Sequence, residues 1–141
     1  MREFKFRAWD GISNVMWEDV HFDKAHIYLS EWDNEKQTWK GCMPRWETNP
    51  IMQFTGLKDK NGVEIYEGDI IRNWFYSMDG MDLGHKWIVK FGEYDDSDID
   101  YGSPGIGFYV ETKLEAASLL NIAGEEEVIG NIYENKELLC E

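Results

Sequence analysis

Cysteine is nearly absent from this 141-residue chain. Only Cys42 and Cys140 occur, far apart and in no C-x-x-C unit, which excludes a disulfide scaffold and fits a reduced cytosolic compartment. Histidine is as sparse. His21 and His26 stand five apart rather than four, and His85 is remote, so paired metal-ligand spacing is missing and ordinary polar roles are expected. No G-x-S-x-G elbow appears, and neither cysteine has a context that would activate a thiolate. The run GSPGIG at 102–107 is rich in glycine but lacks a P-loop lysine and a helix to follow it. The expectation is a protein that is not an enzyme and holds no cofactor or metal.

Long apolar runs are missing too. No stretch approaches the ~18 uninterrupted apolar residues of a membrane helix, and MREFKFRAWD at the start has no apolar signal-peptide core. A cytoplasmic chain without membrane contact is expected. Basic residues form the third shortage: 14 Lys and Arg stand against 28 Asp and Glu, a formal net charge of -14 at pH 7. Such a surface repels phosphate backbones and anionic lipids, so nucleic-acid binding is not expected. It suits a basic partner, a cation, or plain solubility. The abundance of acids also makes any single carboxylate pair uninformative about acid–base chemistry.

What the chain does have is β-forming sequence and aromatic residues. Its length fits one domain spanning 1–141, and 43% hydrophobic residues are enough for a core. Phe4, Phe6 and Ala8 alternate with charged residues, Asp10-Gly11 and Ser13-Asn14 outline a turn, and Val15-Met16-Trp17 returns, which predicts an N-terminal β-hairpin. The central stretch from Met52 to Trp74 reads as strand, turn, short strand, glycine corner and long strand. Asn61-Gly62 is expected to close a two-residue turn with positive φ at both positions. Gly68 is expected to turn a corner, and Asp69 to cap it through its side chain. Lys86–Phe91, Phe108–Val110 and Glu127–Tyr133 read as further strands, the last with Gly130 at a bulge or close contact. A short helix is expected from Lys113 to Ala123, ended by Gly124.

Two regions read as loop-rich insertions, 21–49 and 78–107. In the first, Trp32, Trp39 and Trp46 fall seven apart, but the turn and breaker residues between them argue against a heptad helix. In the second, Asp96, Asp98 and Asp100 have the spacing with which calcium loops begin. Tyr101 and Gly107 occupy the positions of the glycine and the closing glutamate, so a solvated acidic loop is the expectation. Seven each of Trp, Tyr and Phe exceed the needs of one core, so some of Trp32, Trp39, Trp46, Trp74, Phe75 and Tyr76 are expected at the surface. There they would suit a protein–protein contact or self-association.

Three segments together carry a family resemblance: KFRAWD at 5–10, MQFTGLKDKNGVEIYEGDII at 52–71 and VIGNIYENKELL at 128–139. In order and spacing they resemble the YopX family of bacteriophage and prophage proteins. Lys136 departs from it, standing where relatives often have proline. The resemblance implies a mainly β fold with minor α, a small, partly open barrel of SH3 type, and an accessory protein of the host cytoplasm with no established activity or cofactor. The expected role is a non-catalytic protein-interaction module whose partner is a host or phage protein, with homo-oligomerisation as a further property. Asn61, Gly62, Gly68 and Asp69 are expected to be structural turn residues. Lys58, Asp59, Lys60 and Glu67 are the candidate interaction edge. The alternative is an acidic nucleic-acid mimic that inhibits a host DNA-binding enzyme.

Overall fold

The computed structural model describes residues 3–18, 20–22, 26–28, 32–39, 42–44, 49–76, 82–95, 104–112, 116–119 and 125–140. Among the described residues the regular elements are β-strands and one 3₁₀ turn, and the strands form four sheets. The chain forms two compact units, Met1–Phe54 and Thr55–Glu141.

In the first unit, β1 (Phe6–Asp10) and β2 (Val15–Trp17) make the expected hairpin, in register from Ala8–Trp17 to Asp10–Val15. Asp10 builds its turn. Oδ1 accepts the N–H groups of Ile12 at 3.0 Å and Ser13 at 3.3 Å, and Asn14 closes the turn with φ 55°. The Ser13 hydroxyl, followed by the Ile12 N–H, holds the Asp10 carboxyl below its ordinary value.

The segment expected to be loop-rich, 21–49, contains short strands instead: β3 (His21–Phe22), β4 (His26–Tyr28), β5 (Trp32–Asp33), β6 (Thr38–Trp39) and β7 (Cys42–Pro44). The order β3-β4-β7 makes one small sheet and β5-β6 another. Trp32 and Trp39 are cross-strand partners, so their seven-residue separation is a hairpin repeat. Trp46 lies outside the described residues. β8 (Ile51–Lys58) begins by pairing with β1, Phe6 opposite Gln53 and Ala8 opposite Ile51. Ala8 and Val20 form a small buried cluster with Phe6, Trp17 and Ile51 against it.

The second unit holds the rest of β8, then β9 (Glu64–Tyr66), β10 (Asp69–Tyr76), β11 (Asp82–Tyr94), β12 (Gly105–Glu111), β13 (Ala116–Ser118) and β14 (Glu126–Asn131). An antiparallel sheet runs β13-β12-β11-β10-β14. Its core contains Ile65, Ile71, Trp87, Val89, Val110, Ala117 and Leu119, with Leu57, Phe108 and Val128 packed on it. Ile71 stands opposite both Trp87 and Val128, so one β10 residue ties three strands into one apolar row. Burying each such side chain is worth about 1.5–3 kcal/mol. The register of β10 against β14 slips between Ile70 and Ile71, which places the bulge beside Gly130 as expected.

Two expectations are corrected here. Of the segment expected to be helical, Ala116–Ser118 is a strand paired with β12, because Ala117 has to meet Val110 in the core, while Leu119 is helical and 113–115 and 120–123 lie outside the described residues. Cross-strand burial overrides the helical spacing of those small residues. The described residues of the 78–107 insertion are also mostly strand. β11 includes Asp82–Gly84 and runs on to Tyr94, and β12 begins at Gly105. The glycines that suggested loops sit inside a long hairpin, paired Gly92 to Gly107. Asp96, Asp98 and Asp100 lie outside the described residues.

Candidate interaction surface

The motif that dominates the sequence builds two turns. The first differs from expectation in its length. Gly62 N–H donates to the Asp59 carbonyl at 3.0 Å and Asp59 N–H to the Val63 carbonyl at 2.8 Å, which makes Lys60-Asn61-Gly62 a three-residue loop. Of the pair Asn61-Gly62, only Gly62 has positive φ, at 82°. A turn of this kind ends in a bulge that leaves the next N–H, that of Val63, without a ladder partner. The Asp59 side chain supplies one: Oδ1 accepts the N–H groups of Asn61 at 2.8 Å and Val63 at 2.9 Å. Its other oxygen, Oδ2, accepts Val128 N–H of β14 at 2.9 Å, and Lys60 N–H donates to the Glu126 carbonyl at 3.1 Å. The hairpin turn is thereby fastened along β14, the last strand in the sheet order.

The second turn joins β9 to β10. Gly68 has φ 80°, its N–H donates to the Val89 carbonyl at 2.8 Å, and its carbonyl accepts Ile132 N–H at 2.9 Å. Most side chains adopt that left-handed conformation only with strain. Tyr66 N–H donates to Asp69 Oδ2 at 2.8 Å, so Asp69, 1% exposed, caps this turn through its side chain. The third recognised segment is a knot of the same kind. Asn131 Oδ1 accepts the N–H groups of Tyr133 at 3.0 Å and Glu134 at 2.9 Å, and Asn135 Oδ1 accepts Asn131 N–H at 3.2 Å. A Cβ on Gly130 would stand 2.5 Å from Asn135 Oδ1, which is why a glycine precedes Asn131. A 3₁₀ turn, Lys136–Leu139, follows, and Lys86 Nζ donates to the Leu138 carbonyl at 3.1 Å.

These contacts sort the candidate edge residues. Lys58 and Lys60 are exposed and Glu67 is half-buried, whereas Asp59 is only 6% exposed with both carboxylate oxygens engaged by backbone. Asp59 is therefore a turn residue and drops out of the edge. Its local spacing resembles that of a surface charge, and only the contact to Val128, far along the chain, reveals its role. Lys60 Nζ lies 3.8 Å from Glu127 Oε2, an exposed pair of small energetic weight. Among the described residues, no group of three or more His, Cys, Asp or Glu is placed to hold a metal ion, and Cys140 is exposed. No helix among them is long and apolar enough to cross a membrane. One buried acid stands apart. Glu126 is fully buried, with Oε2 accepting Glu125 N–H at 3.1 Å and Oε1 lacking a hydrogen-bond partner.

Among the described residues of the second unit, an exposed apolar face lies where the sequence suggests a loop. Phe91 stands opposite Phe108, and Glu93 opposite Ile106, on the β11–β12 hairpin. By strand alternation these four share the face of the fully buried Val89 and Val110. Phe91 and Phe108 meet edge to face at 4.9 Å, yet Phe91 is 52% exposed and Ile106 81%. On the opposite face, Tyr94 stacks on Tyr109 at 5.1 Å and lies across Gly105, where any Cβ would strike its ring. Lys90 there pairs with Glu111, which raises the lysine's pKa. The signal available in sequence was Ile106 between glycines, which read as loop.

Comparison with known proteins places these features. A family model described as YopX protein matches residues 5–140. The chain is similar to protein EF1440 from Enterococcus faecalis, known from a crystal structure, with 29% sequence identity, 99% of each chain covered and a TM-score of 0.64. Among curated proteins there is no match.

Proposed function

The chain belongs to the YopX family, and from that premise we propose that it is a phage or prophage accessory protein that acts in the host cytoplasm by binding another protein rather than by catalysis. One observation carries this reading. Asp59 and Asp69, the acids of the most specific motif, are buried and bonded to backbone N–H groups, so they serve turns and are not presented to a substrate. The SH3-type closure of the barrel, partner identity and any self-association belong to the same proposal.

Affinity capture from lysate of the bacterial host, followed by sizing of the complex, tests it. A protein recovered at fixed stoichiometry supports the reading, and a chain that stays free at micromolar concentration argues against it. Charge reversal at Lys58 and Lys60 then tests the remaining edge with Glu67. If the captured partner is retained by the Lys58→Glu, Lys60→Glu variant, that edge is not the contact.

The formal charge of -14 motivates the second reading, an acidic nucleic-acid mimic acting on a host DNA-binding enzyme. Mimicry needs carboxylates arrayed on one face, and burial removes Asp59, Asp69 and Glu126 from any such array. Inhibition of a host nuclease in a low-salt titration would favour it.

A further inference from the structure

We propose that the outer edge of β12 at Gly105–Gly107 docks an extended, basic segment of a partner protein as an added strand. This rests on the binding reading above and names its surface. β13 covers β12 only at Tyr109–Glu111, and among the described residues no strand pairs with Gly105–Gly107 on that side. Such an edge carries a row of backbone donors and acceptors ready for another strand. Pro104, with no N–H, marks where the edge starts. Protected edges carry lysines or inward charges, whereas this one carries Gly-Ile-Gly, with Ile106 81% exposed.

The chemistry of the occupant follows from what surrounds the edge. Ile106 and Phe91 continue the buried Val89–Val110 row outward, so apolar side chains on alternate positions of an added strand would complete it. Glu93 and Asp95, which alternate onto this face, are exposed carboxylates at its rim. An alternation of apolar and basic residues meets both demands. A second copy of this chain, at -14, would bring its own acids to the same rim.

Fluorescence polarisation with a labelled seven-residue peptide alternating lysine and valine is the test. Two control peptides accompany it: one replaces valine with serine, the other has N-methylated valines that cannot donate to a sheet edge. Binding of the first peptide is expected, with a loss of about tenfold or more for each control and for the Ile106→Asp protein. Ile106 is so exposed that this variant should keep the parent's thermal midpoint. Equal binding of the serine peptide, or unchanged binding by Ile106→Asp, overturns the proposal. So does sedimentation showing a dimer that Ile106→Asp dissolves, since the occupant would then be a second copy. A captured partner held equally by wild type and Ile106→Asp overturns this surface alone and leaves the binding reading standing.

Discussion

The carboxylate of Asp59 accepts the backbone N–H of Val128 at 2.9 Å, joining a hairpin turn to a strand 69 residues further along the chain. The same side chain accepts two N–H groups inside its own turn, so all three of its bonds serve the backbone. Asparagine at this position has one acceptor oxygen and presents an amide N–H to a backbone donor. Asp59→Asn should therefore lower unfolding free energy by about 3 kcal/mol, read from urea denaturation. A change below about 0.5 kcal/mol would mean that these bonds do not hold the turn.

Stability should also depend on pH through this residue. Burial pushes the Asp59 carboxyl up, but the N–H groups of Val128, Val63 and Asn61, with Lys60 nearby, hold it below its ordinary value of 3.8. A carboxyl with a depressed folded pKa adds stability above its unfolded pKa, and that increment disappears as pH falls through the folded value. The urea midpoint of wild type should drop more steeply than that of Asp59→Asn between about pH 5 and pH 2.

The corner at Gly68 should be destabilised by alanine. Gly68→Ala forces a left-handed conformation on a residue with a Cβ, costing about 1–2 kcal/mol, while Gly62→Asn should cost less because asparagine visits that region more readily. Thermal midpoints of the two variants give the comparison. A Gly68→Ala protein as stable as wild type would contradict the turn geometry.

Gly130 and Asn135 make a separate prediction at the other end of the second unit. Gly130→Ala introduces a methyl group 2.5 Å from Asn135 Oδ1, for a loss of about 2 kcal/mol. Hydrogen exchange should quicken first at Tyr133 and Glu134, whose N–H groups depend on Asn131.

Glu126 should be replaceable at a gain. A fully buried carboxyl oxygen without a donor is costly, and methionine fills a similar volume with no oxygen to satisfy. Glu126→Met should raise stability at pH 7 by about 1 kcal/mol. A loss of that size would indicate that the bond from Glu125 N–H outweighs the cost of burying the carboxyl.

The sequence made the β class, the N-terminal hairpin and the Gly68–Asp69 corner legible, because turn chemistry at Asp10-Gly11 and Glu67-Gly68-Asp69 is local. Asn61-Gly62 marks the position of its turn, but not the three-residue length of the loop. Asp59 decides that length, through bonds to Val63 and to a strand that only tertiary structure brings near. Ala116–Ser118 misled for a related reason: small residues at helical spacing also fit beneath Val110 once β12 is beside them. The long β11–β12 hairpin stayed hidden because glycines at 92, 105 and 107 resemble loop punctuation. In the fold, Gly92 and Gly107 face each other across the hairpin, and Gly105 makes room for the Tyr94 ring. The exposed face of Phe91 and Ile106 was illegible for the same reason, since its alternation appears only when the loop is read as strand.

The most direct measurement is native-state hydrogen exchange of the Val128 amide in wild type and in Asp59→Asn. If the motif's acids hold the fold together, that amide should exchange only through global or near-global opening in wild type and lose most of its protection in the variant. A Val128 amide that exchanges freely in wild type, or at the same rate in both proteins, would contradict a structural role for the motif.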